Sequence, residues 1–283
     1  MEQVEGFLHY VNNFDGTRIP IMHDQPWQWV LPVVSCVLYV LFVFLVPPLI
    51  KKEASVKFLL AAWNLFLSVF SGLLFVFWGR PVWAQFAASG YSIYSLVCVP
   101  GPLLYGVNMF CAMLFAYSKY FELIDTVFLV IRKRPVNFLH WYHHTTVLLY
   151  TWFGVIIGLP AGMVFGIVNA FVHTIMYFYY FLAAIGQRPW WGQYVTILQL
   201  SQMVVGLFTS GAWAYFYLSG LPCPLQGGGP YVHQIVILSS VALYGSYFYL
   251  FLSFYLKRFG AAEKRPTTAA GKPGQASRTK KEE

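Results

Sequence analysis

The chain contains 283 residues, of which 58% are hydrophobic and only 10% are charged. Soluble domains carry about a quarter charged residues, so this composition excludes an ordinary soluble protein and predicts an all-α polytopic membrane protein. The formal net charge of +8 does not indicate nucleic-acid binding, because much of the positive charge lies in the tail after Tyr255. There it is expected to face a cytosolic membrane surface.

Seven apolar segments follow a short N-terminal segment, residues 1–26, which lacks the basic start of a secretory signal peptide. Each segment is long enough to cross roughly 30 Å of hydrocarbon at about 1.5 Å per residue. We therefore predict seven membrane-spanning helices within a domain of residues 27–258. They lie at residues 27–49, 57–79, 103–131, 137–158, 161–185, 193–219 and 231–256.

The loops between these segments alternate in charge. Lysines and arginines follow the first, third, fifth and seventh segments, whereas the opposite loops hold only Arg18 and Arg80. The positive-inside rule therefore predicts a cytosolic C-terminus and an N-terminus on the far side of the membrane. Cys98 and Cys223 both fall in far-side loops, where disulfides form. We predict a bridge between them, the alternative being two unpaired thiols.

The tail, residues 259–283, is rich in Pro, Gly, Thr, Ala and Lys, a composition that predicts disorder. Lys280 and Lys281 occupy the fourth and third positions from the end of the sequence. They resemble the dilysine signal that returns membrane proteins to the endoplasmic reticulum. A receptor reads that signal only in the cytosol, in agreement with the predicted orientation.

Three histidines stand out near the start of the fourth segment. His140, His143 and His144 are spaced i, i+3 and i+4, so they share one face of a helix. Three imidazoles on one face of a membrane helix are costly unless they border a polar interior. The pattern predicts metal binding, or acid–base and nucleophilic chemistry, more strongly than a purely structural role.

Three further segments carry polar faces at helical spacing, and the rise per residue places all four faces at overlapping depths, mostly in the cytosolic half. The arrangement predicts one shared site. Alternative interpretations are a buried ion pair that orients two helices, amide hydrogen bonds between helices, and tyrosine packing. The residues are Lys119, Glu122, Asp125 and Thr126; Asn169, His173 and Tyr177; and Thr196, Gln199 and Gln202.

A metal site is the first alternative for the histidines. Membrane di-iron enzymes need about eight histidine ligands, but the chain has seven histidines, and three of them, His9, His23 and His233, lie away from the cluster. Four are too few for two irons, whereas one zinc ion held by three imidazoles stays open. The composition alone does not decide between zinc and nucleophilic chemistry.

The polar faces form four motifs that resemble those of the very-long-chain fatty acid elongases of the endoplasmic reticulum, which are 3-ketoacyl-CoA synthases. The family patterns KxxExxDT, HxxHH, HxxMY and TxxQxxQ occur intact and in the family's order. They begin at Lys119, His140, His173 and Thr196. The resemblance implies seven helices, six of them forming a barrel around a closed-ended acyl tunnel, with the first packed outside.

The resemblance also implies a reaction, in which an acyl-CoA and malonyl-CoA condense to a 3-ketoacyl-CoA with release of carbon dioxide and CoA. No redox cofactor is needed, and both substrates reach the enzyme at the lipid bilayer of the endoplasmic reticulum. A homodimer and contacts with the other enzymes of the elongation cycle stay open. The runner-up is a seven-helix receptor or transporter, which is disfavoured because the far-side half of the segments lacks the charge pairs that a path across the membrane would need.

The residues suggest how such a reaction proceeds. No cysteine lies near the histidine box, so we expect His143 to attack the acyl thioester and form an acyl-imidazole. Neutral and imidazole donors would hold the developing oxyanion: His144, Asn169, His173 and Gln202. Lys119 would neutralise a carboxylate or phosphate, with Glu122 and Asp125 orienting it and the imidazoles, His140 among them.

Two ends of the site carry further expectations. Cations at the cytosolic mouth are candidates for binding the phosphates of CoA: Arg132, Lys133, Arg188 and Lys257. Tyr177 and Gln199 complete the candidate substrate-binding residues. Bulky rings near the end of the sixth segment are expected to form the tunnel floor: Trp213, Phe216 and Tyr217.

Overall fold

The computed structural model describes residues 2–15, 27–99, 105–226, 229 and 231–260. Within these ranges the regular secondary structure is helical, as predicted, and contains no β-strand. Arg18, His23, the dilysine pair and nearly all of the tail lie outside the described residues. The α-helices are α1 (Glu2–Asn12), α2 (Trp27–Leu45), α3 (Lys57–Ala88), α4 (Ile93–Cys98), α5 (Gly106–Glu122), α6 (Ile124–Ile131), α7 (Phe138–Ile156), α8 (Pro160–Ala184), α9 (Gly192–Leu218) and α10 (Val232–Tyr255).

Five of these helices, α2, α3, α8, α9 and α10, are long and apolar enough to cross a membrane. Their apolar side chains cover much of the outer surface, as expected for a protein that hydrocarbon surrounds. A multi-pass membrane protein is therefore the class that the helices define. The predicted orientation of the termini stays a prediction.

The third predicted segment, residues 103–131, differs from the structure. It forms two helices, because α5 ends at Glu122 and α6 begins at Ile124. At the junction the amide of Leu123 donates to Tyr120 O at 3.2 Å, an i to i−3 bond that tightens the turn. The fourth segment corresponds to α7, whose three histidines lower its apolar character. These two segments are not among the five candidate membrane spans.

The second predicted segment, residues 57–79, is too short. Helix α3 runs to Ala88 and contains Pro81, a residue type that disfavours a helix interior. Residues on both sides of the proline remain packed, since Trp78 and Val82 are both buried. Tertiary packing therefore outweighs the local signal for a helix end.

The helices pack in a cyclic order. Helix α3 lies along α8, α8 on α9, α9 on α10, α10 on α7, α7 on α5, and α5 back on α3, whereas α2 packs mainly on α7. The contact of α3 with α8 is the most extensive. There Gly72 faces Thr174, where an added Cβ would lie 3.3 Å from Thr174 Cγ2, and Ser68 Oγ donates to Thr174 O. Small residues of this kind allow membrane helices to approach closely.

The far-side end of the molecule is held by three kinds of contact. The predicted Cys98–Cys223 disulfide is present. Tyr94 OH donates to Pro222 O at 2.7 Å next to it. On the N-terminal side, the amide of Gly106 donates to Phe14 O at 2.9 Å, which attaches the segment after α1 to the start of α5.

Candidate active site

Polar side chains from α5 to α9 converge on one cavity of about 190 Å³. All four sequence motifs contribute to its walls, so the polar faces that were predicted at overlapping depths line one cavity. The polar lining comprises Glu122, Asp125, Asn137, His140, His143, His144, His173, Tyr177, Tyr180, Gln199 and Gln202.

The first group within the site is an ion pair. Lys119 Nζ lies 2.7 Å from Glu122 Oε1, with 1% and 4% of the two side chains exposed. The same carboxylate oxygen accepts from Ser118 Oγ at 3.2 Å and lies 3.6 Å from His173 Nδ1. Charges this deeply enclosed require close partners. Glu122 thereby links α5 to the histidine of α8.

The second group is a hydrogen-bond relay that fixes the orientation of two amides. Lys119 Nζ donates to Asn169 Oδ1 at 3.2 Å, and Asn169 Nδ2 donates to Gln202 Oε1 at 3.2 Å. Because an ammonium group only donates, the direction of the relay is determined from its first member. Gln202 therefore accepts through its oxygen, and no described residue accepts from its Nε2. Since Gln202 lines the cavity, this amide is a donor that remains available there.

The third group surrounds Asp125. Its Oδ1 accepts from Trp63 Nε1 at 2.8 Å, and its Oδ2 accepts from Tyr177 OH at 2.7 Å. Both carboxylate oxygens therefore have a donor, from α3 and α8 respectively. This arrangement fixes Asp125 in the wall between the polar cavity and a second cavity of about 370 Å³, which Asp125, His140, Tyr177 and Tyr180 also border.

The histidine box forms a compact cluster on α7. Asn137 accepts from the amide of His140 at 2.8 Å and caps the helix just before the box. The ring centroids of His140 and His144 are 4.4 Å apart, and those of His143 and His144 are 5.4 Å apart. Buried His144 Nδ1 has no hydrogen-bond partner among the described residues. The cluster therefore contains imidazole nitrogens that are not committed to structural bonds.

A third cavity, of about 40 Å³ and almost entirely apolar, continues from the polar one toward the far side. Among the described residues, His143 is the one that lines both the polar cavity and this apolar cavity. Below it on α7, Val147, Thr151 and Gly154 follow at i+4, i+8 and i+11, so they extend the same helix face along the apolar cavity. The His143 imidazole is thus placed at the junction of a polar and an apolar cavity.

The remaining predicted residues vary in how close they lie to the polar cavity. Gln199 lines the polar cavity and donates from Nε2 to Met176 Sδ at 3.2 Å, whereas Thr196 is buried within α9. Of the four predicted cations, Arg132 borders the 370 Å³ cavity. Lys133 Nζ donates to Lys51 O, and Arg188 and Lys257 are exposed and line none of these cavities. Their assignment to CoA stays a prediction.

The three rings predicted to form the tunnel floor do not line the apolar cavity. Trp213 and Tyr217 stack on His233, with ring centroids 5.6 Å and 4.3 Å from it, in the cluster that contains the disulfide. Neither these rings nor Phe216 lines the apolar cavity. Its far-side end is lined instead by residues of α7, α8 and their connection: Val155, Leu159, Gly162 and Met163.

Sequence reasoning missed two residues that contact the site. Tyr39 OH on α2 lies 2.9 Å from Thr126 Oγ1, which in turn lies 2.9 Å from His140 Nε2. Trp63, described above, donates to Asp125. Tyrosine and tryptophan are frequent in membrane helices as packing residues, so their type gave no signal. Each of the two side chains forms its hydrogen bond with a residue that is distant in the sequence, Tyr39 with Thr126 and Trp63 with Asp125.

The metal alternative was tested against the arrangement of ligands. Within the described part of the chain, no group of three or more His, Cys, Asp or Glu side chains is placed to hold a metal ion. The three imidazoles of the box are also in different environments, because His140 Nε2 bonds to Thr126, whereas His143 packs on Tyr247 with ring centroids 5.0 Å apart.

The sequence is similar to that of known proteins over most of its length. The profile of the GNS1/SUR4 (ELO) family matches residues 25–267. The very long chain fatty acid elongase 4 of Trypanosoma cruzi is 33% identical over 92% of this chain and 90% of its own length. The putative fatty acid elongase 3 of Caenorhabditis elegans is 33% identical over 94% and 82%. The very long chain fatty acid elongase 6 of Drosophila melanogaster is 33% identical over 88% and 78%.

These matches cover all the helices that form the site. The chain belongs to the GNS1/SUR4 family of fatty acid elongases. It is a membrane enzyme of fatty acid elongation, and its polar cavity with the adjoining apolar cavity is the candidate active site.

Proposed function

We propose that the protein is a very-long-chain 3-oxoacyl-CoA synthase, which condenses an acyl-CoA with malonyl-CoA through an acyl-imidazole on His143. The observation that carries the proposal is the position of His143, which lines both the polar and the apolar cavity. An acyl chain in the apolar cavity would bring its thioester to this imidazole. The cyclic packing order of α3, α8, α9, α10, α7 and α5 supports a six-helix barrel around that chain.

The first half of the reaction is acyl transfer to the enzyme. A ring nitrogen of neutral His143 attacks the thioester carbonyl carbon, and the carbon–sulfur bond breaks. The proton from the other ring nitrogen leaves with CoA as its thiol. The products are an acyl-imidazole and free CoA, with atoms and charge balanced and no redox change.

The second half consumes malonyl-CoA. Loss of carbon dioxide leaves an enolate, whose carbon attacks the acyl-imidazole carbonyl and displaces the imidazole. The displaced imidazolate takes up one proton from the solvent, the net proton that the overall reaction consumes, which restores neutral His143, and the 3-ketoacyl-CoA departs. Negative charge develops on oxygen in both halves, and Gln202 Nε2 is the neutral donor that the relay from Lys119 through Asn169 leaves available. His144 and His173 line the same cavity.

The location of the site agrees with the expected substrates. The polar cavity lies in the half of the membrane that the charge pattern assigns to the cytosol, where CoA esters are soluble. The endoplasmic reticulum membrane is the proposed location, with a lumenal N-terminus and a cytosolic C-terminus, supported by the charge pattern and the dilysine end. Far-side cysteines joined in a disulfide agree with an oxidising lumen.

The test uses purified protein in detergent with radiolabelled malonyl-CoA and acyl-CoAs of short, medium and long chain, without reductants. We expect release of carbon dioxide and a labelled 3-keto product from at least one chain length. With acyl-CoA alone, the protein should gain the mass of one acyl group and release CoA. His143→Ala should abolish both events, whereas His9→Ala, exposed on α1, should preserve them. Absence of condensation with every chain length would refute the proposal.

A further inference from the structure

Helix α2, which packs mainly on α7 and contributes to none of the four motifs, contacts the histidine box through a short hydrogen-bond chain. Tyr39 OH lies 2.9 Å from Thr126 Oγ1, and Thr126 Oγ1 lies 2.9 Å from His140 Nε2. Tyr39 is 5% exposed and Thr126 is fully buried. The two hydroxyl groups of this chain therefore have little or no access to water, whereas the His140 ring is partly exposed and lines the polar cavity.

Burial determines the direction of these bonds. Among the described residues, Thr126 Oγ1 is the only hydrogen-bond partner of the Tyr39 hydroxyl. A buried hydroxyl proton without an acceptor is unfavourable, so the phenol donates to the threonine. The threonine hydroxyl has one proton of its own. It donates that proton to His140 Nε2, which must therefore be an acceptor.

The opposite direction leaves a group unsatisfied. If His140 Nε2 carried a proton and donated it, Thr126 would donate to the Tyr39 oxygen. The buried phenolic proton would then have no acceptor among the described residues. A positively charged His140, with protons on both nitrogens, leaves the same orphan and adds a buried charge.

We infer that Tyr39 is a positioning residue, which holds His140 neutral with its proton on Nδ1. The tautomer of a histidine is determined by the hydrogen bond at its other nitrogen, and here that bond is set from a different helix. The Nδ1–H group is then the single polar hydrogen that His140 offers next to His144, whose ring centroid lies 4.4 Å away. The histidine box would thus present one defined hydrogen-bond donor at His140, its Nδ1–H group, when the substrate binds.

The tautomer is measured directly on the resting protein. In protein labelled with ¹⁵N-histidine, the two ring nitrogens of a neutral imidazole have well-separated chemical shifts. We assign the His140 signals by their loss in His140→Ala. In the wild type, and in Thr126→Ser, which retains the hydroxyl, they should show a protonated Nδ1 and an unprotonated Nε2.

Two variants remove the proposed control. Tyr39→Phe and Thr126→Val should both shift the His140 signals toward a mixture of tautomers, because the donor chain to Nε2 is weakened or absent. Tyr94→Phe is the matched control, since its hydroxyl donates to Pro222 O on the far side of the molecule. It should leave the His140 signals unchanged. A protonated Nε2 in the wild type, or an unchanged tautomer in both variants, would overturn the inference.

The kinetic consequence rests on the proposed function. In the condensation assay, Tyr39→Phe should lower kcat about five- to tenfold with KM unchanged, because one orienting hydrogen bond is lost and no substrate contact is removed. Tyr94→Phe should retain the wild-type rate. Unchanged kcat in Tyr39→Phe despite an altered tautomer would show that His140 is not used in the reaction and overturn the catalytic part. A wild type without condensing activity would refute the proposed function, while the tautomer is decided by the spectra alone.

Discussion

Lys119 and Glu122 form an ion pair 2.7 Å long in which neither side chain has more than 4% of its surface exposed. The pair is one helical turn long, at i and i+3, and both members have second partners on α8: Asn169 for the lysine and His173 for the carboxylate. It therefore fixes α5 against α8 and also starts the relay that orients Gln202.

Replacing one member of this ion pair should lower the free energy of unfolding more than replacing both members. Lys119→Met leaves Glu122 with an uncompensated buried charge, so we expect a loss of about 3–5 kcal/mol in the free energy of unfolding. The double variant Lys119→Met with Glu122→Leu should recover much of the stability but none of the activity. Unfolding in detergent, followed by circular dichroism, measures the difference. Equal stability of the single and double variants would contradict the coupling.

Loss of the Gln202 amide should slow condensation with malonyl-CoA more than it slows formation of the acyl-enzyme. Gln202→Ala removes the amide donor that remains available in the cavity, so condensation should fall by about 10²–10³. The acyl-enzyme should still form, as detected by mass spectrometry with acyl-CoA alone. Gln199→Ala, whose amide donates to Met176 Sδ, is the matched control and should have a much smaller effect. A similar loss in both variants would assign the effect to packing of α9.

Gly154 should limit the length of the acyl chain. It lies about 16 Å below His143 on the same face of α7. It lines the apolar cavity, and an added Cβ would meet no heavy atom within 4 Å. Gly154→Leu should therefore fill that space. Activity on the longest accepted acyl-CoA should fall by about 10- to 100-fold relative to one several methylenes shorter.

A matched glycine controls for the change in helix propensity. Gly211 lies within α9, also has open space at its Cβ position, and lines neither cavity. Gly211→Leu should leave the chain-length profile unchanged, as measured by competition among acyl-CoAs of different lengths. If both variants shift the profile equally, the apolar cavity is not the acyl site.

The disulfide should contribute strongly to stability on the far side. Cys98 and Cys223 are separated by 125 residues, and closing a loop of this size is worth about 5 kcal/mol in the chain-entropy model. The membrane already restricts the unfolded chain, so we expect the double Cys→Ser variant to lose less than that. Each single variant should lose about the same amount as the double. Thermal unfolding with and without reductant provides the comparison.

Removing metals should not affect condensation. The proposed mechanism uses imidazole and amide groups alone, so chelators should leave the rate unchanged and metal analysis should find far less than one equivalent. A stoichiometric zinc or iron that follows activity through purification would contradict the acyl-imidazole. The control is the same chelator already saturated with zinc.

Much of the site was predictable from residue type. Charged and amide side chains are costly in a membrane helix, so Lys119, Glu122, Asn169 and Gln202 indicated a polar interior by their presence alone. Their helical spacing gave the face on which each lies. The structure brings these four residues into one connected group, as the sequence predicted.

The pairing within the site was not predictable. Glu122 and Asp125 are three residues apart and were assigned to one face of one helix, but the break at Leu123 places them on α5 and α6. They take different partners, Glu122 bonding to Lys119 and Asp125 to Trp63. Helical periodicity assumes an uninterrupted helix, and the turn between the two was not visible in an apolar run. The prediction of the tunnel floor was wrong for a related reason, because the size of a ring does not show whether it faces a cavity.

The contact at Gly106 joins two parts of the chain that are synthesised at different times. Gly106 has a φ of 58°, which suits glycine. A Cβ there would lie 2.7 Å from Asn12 O, so the end of α1 rests directly on the first residue of α5. At about 5–20 residues per second, the ribosome completes Gly106 roughly 5–20 s after Asn12. During that interval the aromatic rings of the early segment, Phe7, Tyr10 and Phe14, lack Phe110, the ring they pack on in the finished protein. Until then these three rings lack the α5 surface on which they pack in the finished protein.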